Sequence, residues 1–451
     1  MNALRIGVCL GLFLLLTSIT DVSAADTHWK AGVAETKITP EQPMWMAGYA
    51  SRNKPSEGVA QDLFAKALAL EDSGGNRLII VTLDLIGVPR ALRKNLEKRT
   101  AEVLGLKPES LLINASHTHC GPELRVGRAP ADKESASGNY AGALEDKLFT
   151  LVGQAWSNRA PANLAYSHAR AGFGMNRRLP SPTGYRNSPN PEGPVDTDVP
   201  VLMVKGADNK FRAVLFGYAC HNTTLSFYQF CGDYAGFAQE YLQKDNPGVI
   251  ALFMLGCGGD QNPYPRGTID LAQKHGRTLA TAVESAISVS QPRVINGPLR
   301  MAYTEIELPY DTHPTKAEFE ARLQSKDKYE ASHAQRMLDR LAKGESLAKS
   351  YPYPIQVVRF GGELVLVALG GEVVVDFSLR LKWDLAGPAV WVAGYSNDVM
   401  AYIPSRRVWT EGGYEAGGAM RFSSSHPTRW AGSVEELIVK QVHELAQRLQ
   451  R

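Results

Sequence analysis

Strand-like and helix-like stretches alternate along this chain, and this alternation restricts its fold more than any other feature. Apolar runs rich in β-branched residues predict strands, and the amphipathic stretches between them predict helices. The strands are expected at 78–85, 111–115, 199–204, 213–218 and 249–255, and the helices at 89–104, 141–156, 234–243 and 269–288. This order is typical of an α/β protein, in which helices pack against β-sheets.

The rest of the chain is less regular. Short strands are predicted at 357–359 and 364–369, and an amphipathic helix at 434–449. The charged stretch 314–347 is expected to be helical and to face solvent. The stretch 174–195 is rich in Pro, Gly, Asn and Ser and is long for a loop. It is interpreted as an active-site lid or as a mobile surface loop.

The first 24 residues have the pattern of an export signal. Arg5 is followed by an apolar run over 6–16 and by the small-residue sequence Val22-Ser23-Ala24. We expect residues 25–451 to be a secreted or periplasmic protein, with an uncleaved N-terminal anchor as the alternative. No later segment is long and apolar enough to span a bilayer. The 49 basic and 46 acidic residues nearly balance, which gives no reason to expect a nucleic-acid partner.

Two histidines follow the predicted strand at 111–115. They belong to the motif Ser116-His117-Thr118-His119-Cys120-Gly121-Pro122. In an extended segment, side chains two residues apart point the same way, so both imidazoles are expected in one space. Neutral imidazoles are natural zinc ligands. Two polar side chains at a sheet edge, without a metal, are the alternative explanation.

Four other polar segments stand at predicted strand ends, where α/β proteins place their ligands. They contain His221, the turn 256–263 with Asn262, Glu372 at the expected start of a helix, and the tyrosines of the loop 402–414. Each has an ordinary structural explanation when taken singly. In the same order, these explanations are a buried histidine, a tight turn, a carboxylate that interacts with a helix dipole, and core aromatic residues.

Taken together, these segments resemble the N-terminal catalytic domain of the neutral/alkaline non-lysosomal ceramidases. The matching pieces stand in the family's order and cover nearly the whole chain after residue 24. They are 31–40, Met46-Ala47-Gly48-Tyr49, 115–122, Asn176-Arg177, His221-Asn222-Thr223, 232–236, 259–263, Gly371-Glu372, and Tyr402 with Tyr414.

The resemblance implies mixed β-sheets flanked by helices, and a hydrolase that cleaves an amide bond with zinc-activated water. The implied substrate is an N-acylated, ceramide-like lipid or a related N-acyl compound. The implied zinc ligands are His117, His221, Glu372 and Tyr402. His119 is expected to transfer protons. Orientation of the substrate and stabilisation of negative charge are assigned to Arg177, Asn262 and Tyr414.

The sequence departs from the family pattern at two places. Asn262 stands where the family has a serine that is proposed as nucleophile or water partner. An amide cannot form an acyl intermediate, so we expect direct hydrolysis, with Asn262 donating a hydrogen bond to the oxyanion. The family also usually ends in an immunoglobulin-like domain, and no such domain is expected within 25–451.

Three other functions remain open from the sequence. One is a carbohydrate-directed zinc hydrolase that acts on a glycoside or an acyl sugar. Another is a binding protein that keeps the metal pocket but has lost catalysis, which Asn262 in place of serine favours. An amidohydrolase barrel also uses His-x-His after a strand, but it places the pair on an early strand.

The cysteines at 120, 220, 231 and 257 are expected to be buried thiols rather than a disulfide framework.

Overall fold

A computed structural model describes residues 28–124, 134–385, 387–423 and 425–450. The export signal expected in 1–24 lies outside these residues. The strands are β1 (Trp29–Lys37), β2 (Gly58–Val59), β3 (Phe64–Asp72), β4 (Arg77–Leu83), β5 (Leu111–Ala115), β6 (Ala160–Arg170), β7 (Gly174–Asn176), β8 (Arg178–Ser181), β9 (Gly184–Asn187), β10 (Asp198–Gly206), β11 (Phe211–Tyr218), β12 (Gln229–Phe230), β13 (Ile250–Leu255), β14 (Gln261–Pro263), β15 (Arg293–Ile295), β16 (Leu299–Pro309), β17 (Ser350–Phe360), β18 (Leu364–Leu369), β19 (Glu372–Val373), β20 (Ala389–Ala393) and β21 (Tyr402–Ile403). The helices are α1 (Arg90–Leu104), α2 (Glu134–Ser157), α3 (Asp233–Asp245), α4 (Ile269–Ile287), α5 (Lys316–Arg322), α6 (Lys328–Ala342), α7 (Val375–Asp384), α8 (Arg406–Glu411) and α9 (Val434–Arg448).

Nine strands form one large mixed sheet. Their order is β13-β11-β10-β6-β1-β3-β4-β5, with β15 beside β6. Most neighbours are antiparallel, but β4 is parallel to β5 and β11 is parallel to β13. Strands β4, β5 and β13 are buried along nearly their whole length because other elements cover both faces. This double burial explains why their sequences are almost continuous apolar runs.

A second sheet, in the order β16-β17-β18-β20, packs on one face of the large sheet. The core between them contains Leu68 and Leu215 of the large sheet and Phe360 and Trp391 of the small sheet. Helices α1 to α4 cover the other face of the large sheet, and α7 and α9 cover the outer face of the small one. The result is a helix–sheet–sheet–helix α/β fold, which confirms the predicted class. No helix in the described residues is long and apolar enough to cross a membrane.

The large sheet is so strongly curved that its two edge strands meet. The Asn114 amide of β5 donates to Leu255 O of β13 at 3.3 Å and to Gly394 O, just after β20, at 2.8 Å. In return, Leu255 N donates to Asn114 Oδ1 at 2.8 Å. One buried side chain therefore joins the carboxyl ends of three strands from both sheets.

Several predicted elements are confirmed, with shifted ends. Helix α1 starts after Pro89 and ends at Leu104, and the φ of 63° at the next residue, Gly105, suits a glycine at a helix end. Helix α2 begins at Glu134, seven positions before the expected start at 141. The amidohydrolase-barrel alternative is wrong, since the large sheet is mostly antiparallel. The four described cysteines are buried thiols without disulfide partners.

Two predictions about irregular segments need correction. The stretch 174–195 is not a long loop, because β7 pairs with β14 and strands β8 and β9 form a hairpin. The stretch 314–347 is helical as predicted, but it does more than face solvent. Phe319 of α5 packs with Ala334 and Met337 of α6 in a small core of their own.

Candidate metal centre and active site

The candidate site lies where strand ends from both sheets converge. His117 follows β5, His221 follows β11, and Glu372 opens β19 directly after β18. Strand β19 pairs in parallel with β21, which places Glu372 beside Tyr402. The site therefore depends on the curvature of the large sheet and on the packing of the small sheet against it.

His117 has an unusual backbone conformation. Its φ is 60°, in the left-handed region that non-glycine residues rarely adopt. The His117–His119 segment is therefore not extended, and the predicted reason for the imidazoles' proximity is wrong. The proximity itself is confirmed, since the two ring centroids lie 4.7 Å apart. Such strain costs about 1–3 kcal/mol and is typical of functional sites.

Backbone carbonyls fix the tautomers of two histidines. His117 Nδ1 lies 2.5 Å from Ile86 O, and His221 Nδ1 lies 2.6 Å from Gly258 O. A carbonyl oxygen only accepts hydrogen bonds, so each ring carries its proton on Nδ1. In the neutral form of each ring, the Nε2 atom therefore presents a lone pair to the site. Carbonyl partners of this kind orient histidine ligands in metal sites.

Glu372 faces both of these lone pairs. Its Oε2 atom lies 3.2 Å from His117 Nε2 and 3.3 Å from His221 Nε2. This oxygen is buried, and no described residue donates a hydrogen bond to it. Burial, followed by the nearby Arg177 charge, lowers the pKa of His221 to about 3, so that ring stays neutral. When His117 is neutral as well, three electron-rich atoms converge here with no hydrogen between them, which is the environment of a cation.

Tyr402 supplies a fourth oxygen at this point. Its hydroxyl lies 3.3 Å from His221 Nε2 and accepts a hydrogen bond from Arg177 Nη2 at 3.0 Å. Burial and the Glu372 carboxylate raise the pKa of Tyr402 well above its usual range. Ligand atoms about 2.0–2.1 Å from one tetrahedral zinc ion lie about 3.3–3.4 Å apart. The separations of 3.2–3.3 Å fit such an ion.

His119 lies at the edge of this group. Its Nε2 atom is 3.1 Å from His117 Nε2, and no described residue hydrogen-bonds its buried Nδ1. His117, His119 and His221 are close enough to share a metal ion. Burial and the two neighbouring imidazoles lower the pKa of His119 well below its usual range. His119 is therefore a neutral imidazole that can act either in proton transfer or as a ligand.

The segment 46–49 shapes the space around His119. A Cβ atom on Gly48, whose φ is 100°, would lie 2.4 Å from His119 Cγ. Only glycine lets the backbone approach the imidazole this closely. The Tyr49 ring meets the same imidazole edge-on at a centroid distance of 4.7 Å. Arg52 Nη1 donates to His119 O at 2.6 Å.

Arg177 connects the metal centre to the remaining predicted residues. Its Nη1 donates to Asn262 Oδ1 at 3.2 Å, and its Nε donates to Glu415 Oε1 at 2.9 Å. Burial disfavours the guanidinium charge, but Tyr402 and Glu415 outweigh burial and raise the pKa of Arg177 well above its usual range. The Tyr414 ring packs edge-on against Tyr402 at 5.3 Å. All eight predicted site residues thus belong to one connected set of contacts.

Comparison with known proteins identifies the family. The model of the neutral/alkaline non-lysosomal ceramidase N-terminal domain matches residues 29–285, more than half of the chain. This chain belongs to the neutral/alkaline non-lysosomal ceramidase family. A Mycobacterium tuberculosis neutral ceramidase is 21% identical over 83% of this chain and 71% of its own length. The Pseudomonas aeruginosa neutral ceramidase is 24% identical over 55% of this chain and 39% of its own length.

Solved ceramidase structures share the fold. The crystal structure of the Pseudomonas aeruginosa neutral ceramidase has a TM-score of 0.67 at 19% identity, covering 87% of this chain and 71% of that one. A structure described as ceramidase complexed with C2 has a TM-score of 0.73 at 19% identity, covering 94% of this chain and 76% of that one. Both matches cover more of the chain than the residues 29–285 that the family model matches.

Two details of the ceramidase-like site differ from the sequence predictions. Glu372 does not start a helix, because it belongs to β19 and helix α7 begins at Val375. Arg177 does not belong to a loop lid. It lies between β7 and β8, where β7 pairs with β14 and brings Asn176 opposite Gln261.

Sequence reasoning missed four residues that support this site. Asn114 joins the strand ends, and Tyr395 packs on the His117 ring at 4.6 Å. Glu415 and Arg178 form buried ion pairs behind Arg177. The sequence contains only weak signals for them. Asn114 is a polar residue inside an apolar strand, and Arg178 and Glu415 are charged residues directly after the predicted Arg177 and Tyr414.

Proposed function

We propose that this chain is a zinc-dependent hydrolase that cleaves the amide bond of an N-acylated, ceramide-like lipid or a related N-acyl compound. The zinc ligands are two imidazoles, a carboxylate and a phenolate, from His117, His221, Glu372 and Tyr402. The observation that carries the proposal is the buried Glu372 Oε2 atom, which lies within 3.3 Å of the Nε2 atoms of two imidazoles whose Nδ1 atoms face backbone carbonyls. The amide substrate is supported by the family and by relatives that are named neutral ceramidases.

A bound zinc ion supplies a Lewis acid that polarises a carbonyl and makes a water molecule more acidic. The protein's own groups carry out the other parts of the reaction. His119 Nε2, on a neutral imidazole beside the ligands, takes up the proton of the attacking water and delivers it to the leaving amine. The guanidinium of Arg177 stabilises the negative charge that develops on the amide oxygen. Tyr414, against Tyr402, orients the substrate.

Asn262 has a fixed orientation in this arrangement. Its Oδ1 accepts hydrogen bonds from Arg177 and from Thr223 at 3.3 Å. Its Nδ2 donates to Asn187 Oδ1 at 3.3 Å and to Tyr264 OH at 3.4 Å. These two donor contacts are long, so one of them can be exchanged for an oxyanion without much loss. Asn262 therefore holds Arg177 in place and supplies a further hydrogen-bond donor.

A substrate screen with metal control tests the proposal. Chelator-treated protein should release fatty acid from an N-acyl lipid only after zinc is added back. The screen should include acetylated sugars and glycosides, because zinc-dependent turnover of these alone would establish the carbohydrate-directed alternative. Zinc binding without turnover of any acyl compound would make the chain a binding protein.

The proposed location is outside the cytoplasm, in the periplasm or the medium. The basis is the order of Arg5, the apolar run 6–16 and the sequence Val22-Ser23-Ala24. N-terminal sequencing of the protein from its native cells should begin near Ala25. A mature protein that keeps Met1 would contradict export by cleavage.

A further inference from the structure

Glu415 lies between two buried arginines. Its Oε1 accepts a hydrogen bond from Arg177 Nε at 2.9 Å, and its Oε2 accepts one from Arg178 Nη1 at 2.7 Å. None of the three side chains is more than 4% exposed. One carboxylate thus accepts hydrogen bonds from two arginines that are neighbours in sequence but have different surroundings.

Arg178 is fixed by groups outside the metal centre. Its Nη2 donates to Glu411 Oε2 at 3.0 Å and to Gly412 O at 2.8 Å. Its guanidinium lies over the Tyr185 ring at 4.7 Å. Arg178 therefore joins the β8–β9 hairpin to the end of α8, and it holds the Glu415 oxygen that Arg177 does not contact.

The contact with Glu415 determines the direction of Arg177. A guanidinium is planar and presents its donors in a rigid fork. Because Glu415 holds the Nε edge, the two terminal nitrogens are directed at Tyr402 and Asn262. Without Glu415, the buried guanidinium would lack its carboxylate partner, and only its contacts with Tyr402 and Asn262 would hold its direction.

We propose that Glu415, anchored by Arg178, is a positioning residue that aims the guanidinium of Arg177 at Tyr402 and at the reacting amide. Glu415 does not itself touch the substrate in this account. The inference rests on the proposed function for its kinetic test, but a second test needs no substrate.

The kinetic test compares Glu415→Gln with the matched control Glu411→Gln. Glu411 also contacts Arg178, but not Arg177. Misplacement of a positioned group by about 1 Å costs about 10²-fold in rate. At saturating zinc, we expect Glu415→Gln to lower kcat by about 10²-fold with KM unchanged. Glu411→Gln should keep a kcat close to that of the wild type. Equal kcat values for wild type and Glu415→Gln would overturn the inference.

A double-mutant cycle separates positioning from a general structural role. In an Arg177→Ala background, Glu415→Gln should cause no further loss of kcat, although it should still lower the thermal midpoint. A full additional loss of kcat in that background would overturn the inference. If Glu415→Gln does not fold, Arg178→Lys replaces it, since a lysine lacks the planar fork that contacts Glu415 and Gly412 at the same time. A wild-type kcat in Arg178→Lys would also contradict the inference.

The substrate-free test follows the ionisation of Tyr402 during zinc titration, by the absorbance of tyrosinate. Wild-type protein should show the change and Tyr402→Phe should not. Glu415→Gln should need more zinc for the same change, because Arg177 no longer faces the phenolate. An identical titration in wild type and Glu415→Gln would overturn the inference. If the wild type cleaves no N-acyl compound, the proposed function fails, while this titration still decides the role of Glu415.

Discussion

Glu372 Oε2 lies 3.3 Å from His221 Nε2, and neither atom carries a hydrogen. His117 Nε2 approaches the same oxygen at 3.2 Å. At a pH at which both imidazoles are neutral, this contact between electron-rich atoms is unfavourable without a cation, and a cation converts it into a binding site. The stability of the metal-free protein and its metal affinity should therefore respond in opposite directions to changes at Glu372.

Glu372→Gln should stabilise the metal-free protein and abolish tight zinc binding. The new amide can donate to an imidazole Nε2, which adds about 1 kcal/mol to the free energy of unfolding. Denaturant unfolding in the presence of a chelator measures the gain, and metal analysis measures the loss. Glu305→Gln is the control, because Glu305 pairs with Arg90 and Lys94 and its change should lower stability. A less stable metal-free Glu372→Gln protein would contradict this interpretation of the contact.

His119→Ala should lower turnover by about 10²–10⁴-fold, the usual range for a general acid–base residue. Zinc content should be unchanged, because the four proposed ligands remain. His168→Ala, at an exposed histidine paired with Asp198, should have no effect on either quantity. Loss of zinc in His119→Ala would make His119 a ligand instead.

Gly48→Ala should damage the site through His119. The added Cβ would lie 2.4 Å from the imidazole, so the ring must move, and we expect a loss of turnover of about 10²-fold. Gly75→Ala is a matched control, since Gly75 also has a positive φ, of 79°, but its Cβ would meet open space. Both variants should lose about 1–2 kcal/mol of stability from backbone strain. Equal turnover in the two variants would show that the position of His119 does not limit the reaction.

The local pattern of the sequence was enough to predict the strands that position the site. Runs such as 111–115 and 249–255 are apolar because both faces of the strand are covered, so the strand can be recognised from its residue types alone. Strand β17 was predicted only in part, because Pro352 and Pro354 argue against a strand. These prolines pair with β16 on one side, while pairing with β18 begins only at Ile355. The other edge of the strand is unpaired there, so the missing N–H groups cost little.

The proximity of His117, His221 and Glu372 in space could not be derived from the local sequence pattern. It depends on the curvature that joins β5 to β13 and on the second sheet, and both arise from long-range packing. The resemblance to ceramidases predicted these three residues as metal ligands, and in the structure their side chains lie close together. The hairpin β8–β9 was missed because most of its residues are exposed or half-buried and are of types common in loops.

Asn262→Ala should reduce turnover by about 10²–10³-fold, the effect of losing one oxyanion donor. The loss includes weaker positioning of Arg177, which donates to the same amide. Zinc content should not change. Rapid quenching of the wild-type reaction followed by mass spectrometry should show no acyl-enzyme, because an amide side chain cannot be acylated. An acyl adduct on any side chain would rule out direct hydrolysis.

The central claim is that one ion, held by His117, His221, Glu372 and Tyr402, is required for turnover. The most direct measurement is the rate of N-acyl cleavage by chelator-treated protein as a function of added zinc. We predict no turnover without metal and full recovery at about one zinc per chain, the occupancy of a single tetrahedral site. The double variant His117→Ala, His221→Ala should neither bind zinc tightly nor recover. Full turnover in the metal-free wild type, or one tightly bound zinc per chain in the double variant, would contradict the claim.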